Sequence, residues 1–267
     1  MKKIVSSLFI LSIPMLLLVG CSKKGCTDPM SLAYDSEAKK DDGTCTYPVN
    51  EQRALVFKTT ATWCPYCGDW GQEFSDDIMT DYPGYAEVVA LHANDAFSAD
   101  INNSLLDYLD PSGYPHFFVG TTDIQNSYSS LSSAVMSEIS SNTEISMALS
   151  YSVSDGVMNI KVQSQVENGF SGEDCFLAIY VMEDGQVASQ EIAGQAANPD
   201  FVHNHILRTE GTGSAFGQAI TFDGGKNLTE VDANLAPSIL WNHDNCYALA
   251  VMWQQNGANY DVLNIAK

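Results

Sequence analysis

The chain has 267 residues and carries 12 Lys and Arg against 33 Asp and Glu, a formal net charge of −21. A protein that binds a nucleic-acid backbone needs clustered Lys and Arg, so this acidic balance argues against nucleic acid as a partner. The length exceeds what one average domain needs and is sufficient for two.

The amino terminus predicts an export signal over residues 1–20. Lys2 and Lys3 precede an apolar run at residues 4–19, which is too short and wrongly flanked for a permanent membrane span. The ending Leu-Val-Gly-Cys resembles the lipobox of bacterial lipoproteins, in which the cysteine is lipidated and becomes the first residue of the mature chain. The resemblance implies a lipid anchor at Cys21. A cleaved signal that leaves Cys21 unmodified is the alternative.

Residues 21–50 are polar and predict a tether that follows the anchor. The segment contains Cys26 and Cys45, with Asp-Pro and Asp-Asp-Gly turn signals between them. It resembles the short GCTDP…DDG-C repeat of secreted proteins of gram-negative bacteria, which favours a spacer closed by a disulfide. Calcium binding by its acidic residues is the alternative, although the ligand spacing of an EF-hand loop is missing.

The cysteine count favours disulfides. Seven cysteines less the lipidated one leave an even number, and exported proteins fold in an oxidising compartment. Several pairings are possible. Local context favours the pairs Cys26–Cys45, Cys64–Cys67 and Cys175–Cys246, the last because both its members lie in segments predicted to be strands.

Strands and helices alternate from residue 51 to residue 143. Strands are predicted at RALVFKTTA, AEVVALHA and PHFFVG, and helices at PYCGDWGQEFSDDIMTDY, ADINNSLLDYLD and SYSSLSSAVMSEISS. This alternation predicts an α/β layer with parallel strand pairing.

Helical patterns stop in residues 144–267. Strands are predicted at EISMALSYSV, VMNIKVQSQV, CFLAIYVME, FVHNHILRT, LTEVDANL, CYALAVMWQ and YDVLNIA, with Gly, Asn and Asp turns between them. This number of alternating strands predicts a β-sandwich. Four aromatic residues are expected in its core: Phe176, Tyr180, Tyr247 and Trp253.

The stretch Cys64-Pro65-Tyr66-Cys67 is the strongest chemical signal. Cys64 follows a predicted strand, and Pro65 suits the first turn of a helix. A sulfur at a helix amino terminus is stabilised as a thiolate, which is the attacking species in disulfide exchange. Cys67 would then resolve the mixed disulfide, and Trp63 would supply an apolar wall. A structural disulfide is the alternative. A zinc site would need further Cys or His ligands, so no metal or cofactor is predicted.

The segments WCPYC and GYPHFFV resemble a thioredoxin fold, and the CPYC sequence is shared with glutaredoxins. The resemblance implies a cis peptide bond at Pro115 opposite the cysteines, and pairing of Tyr114 with the backbone of a substrate. Many thioredoxins carry a buried acidic residue six positions before the first cysteine, where this chain has Lys58. An ammonium there would favour the thiolate of Cys64 but would not act as a carboxylate relay.

Four further residues are candidate functional groups. His92 and Asp95 follow the second predicted strand, so His92 is a candidate for proton exchange with Cys64. Local hydrogen bonding of His92 at the strand end is the alternative. His203 and His205 are predicted to share one face of a strand. They could bind zinc or copper, but a third ligand is not evident, and structural hydrogen bonding is favoured.

The combined features are similar to the 28-kDa outer-membrane-protein family of gram-negative bacteria. The similarity covers most of residues 51–267 and includes TWCPYCG, VVALHAND, GYPHFFVG, HNHILRT and the ending DVLNIAK. It implies outer-membrane attachment through a lipid. It also implies a fold of an α/β thioredoxin-like domain at residues 51–143 followed by an all-β immunoglobulin-like sandwich at residues 144–267.

The sequence is compatible with two functions. The first is thiol–disulfide exchange with exported cysteine-containing proteins or an envelope redox partner. The second is a non-enzymatic, adhesin-like binding module in which the CPYC pair is structural. A partly exposed Cys64 beside Pro115 would favour the first, and burial of Cys64 beneath a loop would favour the second.

Overall fold

A computed structural model describes residues 22–124, 126–235 and 241–267 of the chain. Within them it contains three α-helices and fourteen strands. The predicted signal and the predicted lipidation site at Cys21 lie outside the described residues. No helix in the described part is both long enough and apolar enough to cross a bilayer.

The first half of the chain alternates between strands and helices, as its pattern predicts. Its elements are β1 Ala54–Thr60, α1 Trp70–Asp81, β2 Ala86–His92, α2 Asp100–Leu109, β3 His116–Val119, β4 Thr122–Ile124 and α3 Tyr128–Ile139. Every residue of β1 and β2 is buried, because α1 and α3 cover one face of these strands and α2 covers the other.

The second half consists of strands and one short 3-10 helix. The strands are β5 Ile145–Ser154, β6 Val157–Val166, β7 Cys175–Glu183, β8 Gln186–Gln190, β9 Asn198–His203, β10 Ile206–Glu210, β11 Gln218–Ala219, β12 Lys226–Asn234, β13 Cys246–Asn256 and β14 Asn259–Ala266. The 3-10 helix spans His243–Asn245. The sequence pattern did not predict β4, β8 or β11.

The predicted fold class, a thioredoxin-like domain followed by an immunoglobulin-like sandwich, is wrong. A single mixed sheet of nine strands contains strands of both halves in the order β14-β13-β7-β10-β2-β1-β3-β4, with β11 also paired to β7. The junction is the parallel pairing of Ile206 in β10 with Ala90 in β2, where the Ala90 N–H donates to the His205 carbonyl at 2.7 Å. The second half therefore completes the sheet of the first half.

The smaller sheets cover parts of the large one. The strands β12, β6 and β5 form a three-stranded antiparallel sheet, and its apolar face packs on β7 and β13. On the opposite face of β7 and β13, Tyr180, Tyr247 and Trp253 join the core that contains Phe57 of β1, with Phe176 packed against it. The strands β8 and β9 form a separate hairpin.

The segment FVHNHILRT is two strands, not the predicted single one. His205 has φ 60°, a left-handed conformation that interrupts an extended chain. As a result, His203 ends β9 beside His92 and Phe97, whereas His205 approaches Tyr247 at 3.4 Å. The prediction that the two histidines share one face of a strand is therefore wrong.

The disulfide predicted between Cys175 and Cys246 is also wrong. Both thiols are free and buried. Cys175 pairs with Gln254 and Cys246 pairs with Glu183, so the cysteines occupy opposite ends of the β7–β13 ladder. Gln254 lies eight residues beyond Cys246 in β13, which separates the cysteines by about 27 Å at the usual rise of a strand. A disulfide needs Cα atoms within about 7 Å.

The predicted disulfide between Cys26 and Cys45 is present.

Candidate functional site

The CPYC loop connects β1 to α1 and contains a closed disulfide between Cys64 and Cys67, with Cα atoms 5.3 Å apart. The residues of this loop form turns, and α1 begins only at Trp70. The predicted position of Cys64 at a helix amino terminus is therefore wrong. Turn hydrogen bonds replace helical ones here, since the N–H groups of Asp69 and Gly71 both donate to the Tyr66 carbonyl.

A backbone N–H nevertheless points at the first sulfur. The Cys67 N–H lies 3.2 Å from Cys64 Sγ and 3.1 Å from the Cys64 carbonyl oxygen. A hydrogen bond to sulfur favours its ionised form, whether the N–H belongs to a helix end or to a turn. The local geometry can thus stabilise a thiolate at Cys64 once the disulfide opens.

Aromatic side chains surround the disulfide. Trp63 is 48% exposed and Tyr66 is 57% exposed, although the Trp63 indole N–H donates to the Ala93 carbonyl at 3.0 Å. Tyr114 packs against the cluster of Ala61, Cys64 and Cys67 and meets the Trp63 ring edge-on, with centroids 5.7 Å apart. The Tyr114–Pro115 peptide bond is cis. The loop therefore offers an apolar rim to an incoming chain.

Pro115 lies against the start of α1. A Cβ atom added to Gly71 would lie 2.7 Å from Pro115 Cγ, closer than side-chain atoms approach one another. Glycine at position 71 thus allows α1 and the Tyr114–Pro115 segment to pack together beside the disulfide.

Both cysteines of the loop are buried, with Cys64 3% and Cys67 2% exposed. Residues 190–193, at the end of β8, cover the loop, and we call them the strap. The amide of Gln190 donates to the Cys64 carbonyl at 2.9 Å and to the Ala61 carbonyl at 3.3 Å. The partial exposure that would favour exchange is thus absent in this arrangement.

Lys58 is buried on β1 and faces α1, where its ammonium donates to Gln72 Oε1 at 3.1 Å. Burial lowers the pKa of Lys58 to about 8, and the carboxylate of Asp76 only partly opposes this effect. The group therefore changes protonation near neutral pH, unlike an exposed lysine.

His92 is held by Asp95 and not by a cysteine. Its Nδ1 lies 2.8 Å from Asp95 Oδ2, which also accepts the Thr62 N–H at 2.9 Å. Burial lowers the pKa of His92, and the bond to Asp95 opposes this effect. Burial opposes the ionisation of Asp95, but the hydrogen bond and charge of His92 and the N–H groups of Thr62 and Phe97 together outweigh it and lower the pKa of Asp95. The pair fixes the chain that leads into the CPYC loop.

His203 packs against the same cluster. Its ring lies 5.8 Å from that of His92 and 4.8 Å from that of Phe97. Burial lowers the pKa of His203 to about 4, so the ring is neutral at physiological pH. Within the part of the chain that the structure describes, no group of three or more His, Cys, Asp or Glu side chains could hold a metal ion.

The strap is the part of the site that the sequence did not indicate. It contributes Gln190, Glu191 and Ala193 from more than a hundred residues further along the chain. The segment VASQEIAGQ carries no motif that would link it to the cysteines. Its contacts depend on the placement of β8, which the sequence pattern did not predict.

A family model described as "Outer membrane protein Omp28" matches residues 102–267, more than half of the chain. The chain belongs to the Omp28 family. Membership confirms the predicted family resemblance and the predicted location at the outer membrane. The matched Omp28 region begins after Cys67, so the match itself says nothing about the chemistry of the CPYC loop.

The solved structures that match this Omp28-family chain include two from Porphyromonas gingivalis. HBP35 of Porphyromonas gingivalis superposes with a TM-score of 0.70 and 16% sequence identity, over 82% of this chain and 75% of that chain, which shows a shared fold. A domain of the outer membrane lipoprotein Omp28 from Porphyromonas gingivalis gives a TM-score of 0.34 and 13% identity, over 46% of this chain and 84% of that chain. A comparison with curated protein sequences found no match.

Proposed function

We propose that this outer membrane protein exchanges disulfides with exported cysteine-containing proteins through Cys64 and Cys67. The observation that carries the proposal is the Cys67 N–H, 3.2 Å from Cys64 Sγ. This bond stabilises negative charge on the sulfur and so favours Cys64 as nucleophile or leaving group. The proposed lipid anchor at Cys21 would hold the site at the membrane.

The proposed exchange is balanced in electrons and protons. A thiolate of the partner attacks Cys64 Sγ, the bond to Cys67 breaks, and Cys67 leaves as a thiolate that takes up a proton. The second thiol of the partner then attacks the partner's own sulfur in the mixed disulfide. The bond from that sulfur to Cys64 breaks, and Cys64 takes up the proton that the second thiol loses. The partner gains a disulfide and loses two electrons, which reduce Cys64 and Cys67 to thiols. The reverse sequence reduces a partner disulfide.

Neighbouring residues have distinct proposed roles. The half-exposed Trp63 and the backbone beside Tyr114 and Pro115 would bind the partner chain. Lys58 is the proposed proton-exchange group, because its pKa of about 8 lets it give or take a proton near neutral pH. His92 is proposed to act indirectly, since its hydrogen bond goes to Asp95.

Covalent trapping tests the proposal. In a Cys67→Ala variant a mixed disulfide at Cys64 cannot be resolved, so it should accumulate when the variant is expressed in the organism that encodes the chain. Partners are identified by mass spectrometry after non-reducing electrophoresis. Cys64→Ala is the matched control and should trap far less. No adducts with Cys67→Ala, together with failure to reduce insulin or oxidise reduced ribonuclease, would exclude exchange.

A second candidate is a non-enzymatic binding module, and the burial of both cysteines favours it. In that case the Cys64–Cys67 bond stabilises the loop and the partner binds elsewhere. The double variant Cys64→Ala/Cys67→Ala separates the candidates, since a binding module should lose stability but keep its binding to a protein or glycan partner.

A further inference from the structure

We infer that the strap, residues 190–193, occupies the groove in which a partner peptide would bind and must be displaced before Cys64–Cys67 can react. The inference rests on the proposed function and adds its regulation. The Glu191 N–H donates to the Thr62 carbonyl at 2.9 Å, and the Ala193 N–H donates to the Pro65 carbonyl at 3.1 Å. These two bonds attach the strap along the loop from Thr62 to Pro65, across the first cysteine.

The side chain of Gln190 fastens this arrangement. It is 2% exposed, and its amide nitrogen lies within hydrogen-bond distance of the carbonyl oxygens of Ala61, Cys64 and Glu191, at 3.3, 2.9 and 2.9 Å. One buried amide thus connects the strap to the carbonyl of Cys64 and to that of Ala61, three residues earlier.

Gly68 shows how closely the strap lies on the loop. A Cβ atom added there would lie 2.6 Å from Gln190 Cγ and 2.6 Å from the Glu191 carbonyl oxygen. The second contact is with backbone, so a side chain at position 68 has to move the strap. Gly68 does not have a positive φ, and alanine is therefore compatible with its backbone conformation.

The strap explains how a disulfide can be buried and still take part in exchange. An extended peptide that displaces the strap can donate its own N–H groups to the Thr62 and Pro65 carbonyls. Its cysteine would then lie beside Cys64, with Trp63 and Tyr114 at the rim. The partner class is therefore an extended, cysteine-containing segment of a protein, which can take the place of the strap.

The rate of reduction of each disulfide tests the inference. Dithiothreitol reduces the purified full chain under native conditions: the S–S bond breaks, two thiols form, and dithiothreitol closes to its cyclic disulfide. Samples are alkylated at intervals and each cysteine is assigned by peptide mass. Gln190→Ala and Gly68→Ala should speed reduction of Cys64–Cys67 by about tenfold, which corresponds to about 1.4 kcal/mol less free energy to open the strap.

Two controls are built into the chain. Gly113→Ala places a Cβ in open space and should keep the wild-type rate. The Cys26–Cys45 disulfide reports on general loosening and should be reduced at the same rate in every variant. Equal Cys64–Cys67 rates in wild type and both strap variants would overturn the inference, as would a matching rise for Cys26–Cys45.

The strap and the proposed function can fail separately. Faster reduction in the strap variants without mixed disulfides in Cys67→Ala supports the strap and rejects protein exchange. Mixed disulfides in Cys67→Ala with unchanged reduction rates in the strap variants support exchange and reject the strap.

Discussion

Lys58 is a buried lysine on β1, and lysine side chains are seldom fully buried. Burial lowers its pKa to about 8 in the folded chain, whereas an unfolded chain keeps it near 10.5. Between these values the unfolded state binds more protons than the folded state, so stability rises as pH increases through this window. Below about pH 8 the buried ammonium destabilises the fold in full.

Replacing this ammonium should stabilise the protein at neutral pH. We expect Lys58→Met to raise the free energy of unfolding at pH 7 by about 2 kcal/mol, after loss of the bond to Gln72 is allowed for. The gain should shrink as pH rises from 8 to 10.5. Urea denaturation of wild type and Lys58→Met at pH 8 and at pH 10.5 measures this gain in the free energy of unfolding. The control is Lys161→Met on an exposed strand face, and a gain that does not change with pH would contradict the explanation.

The Cys64–Cys67 disulfide could be predicted from the sequence, but the backbone conformation of its loop could not. Apolar periodicity places α1 correctly from Trp70 through Phe74 and Ile78, since these residues recur at helical spacing. The predicted helix begins at Pro65 because proline favours the first turn of a helix, but α1 begins at Trp70. In the structure this stretch forms turns whose N–H groups donate to the Tyr66 carbonyl. The strap that lies on Gly68 comes from a distant part of the chain, which no local pattern reveals.

At the scale of elements, β10 is the strand that connects the two halves, and a buried ion pair fixes it to β7. Arg208 Nε contacts Glu183 Oε2 at 2.5 Å, and both side chains are almost fully buried. The guanidinium also lies over the rings of Phe97 and Trp241, at 5.0 and 5.8 Å. Removing one member would leave the other charge buried without its partner.

We expect Arg208→Met to lower the free energy of unfolding by about 3–5 kcal/mol, because Glu183 would remain buried without its counter-charge. The double variant Arg208→Met/Glu183→Gln should recover part of this loss. Arg53→Met, which breaks a partly exposed pair with Glu51, should change stability by less than about 1 kcal/mol. Urea denaturation of all three measures the effect, and equal losses for Arg208 and Arg53 would refute it.

Most individual strands could be predicted from the sequence, but their partners could not. The strands β5, β6, β7 and β13 follow from apolar patterns because each faces a core. The same patterns do not predict that β10 pairs with β2, because the paired residues are more than a hundred positions apart in the chain. The incorrect separation into two folds follows from this gap between local pattern and long-range pairing.

At the scale of the whole molecule, the continuous sheet predicts cooperative unfolding. The core formed by Phe57 of β1 and Trp253 of β13 belongs to both halves, with ring centroids 6.3 Å apart. We expect one transition in urea, with the same midpoint by far-ultraviolet circular dichroism and by tryptophan fluorescence. A Trp63→Phe/Trp70→Phe variant keeps only the two tryptophans of the second half, and a Trp241→Phe/Trp253→Phe variant keeps only those of the first half. Separate midpoints for the two variants would show that the halves unfold independently.

The two free thiols, Cys175 and Cys246, lie in the core between the three-stranded sheet and the large sheet, and this has a chemical consequence for an exported protein. Burial raises the pKa of Cys175 to about 11 and that of Cys246 to about 12, so both remain protonated and unreactive at neutral pH. They lie too far apart to form a bond with each other, and their burial keeps them from oxidants and other sulfhydryls. Once β7 and β13 have paired, these two cysteines can therefore no longer form incorrect disulfides in an oxidising compartment.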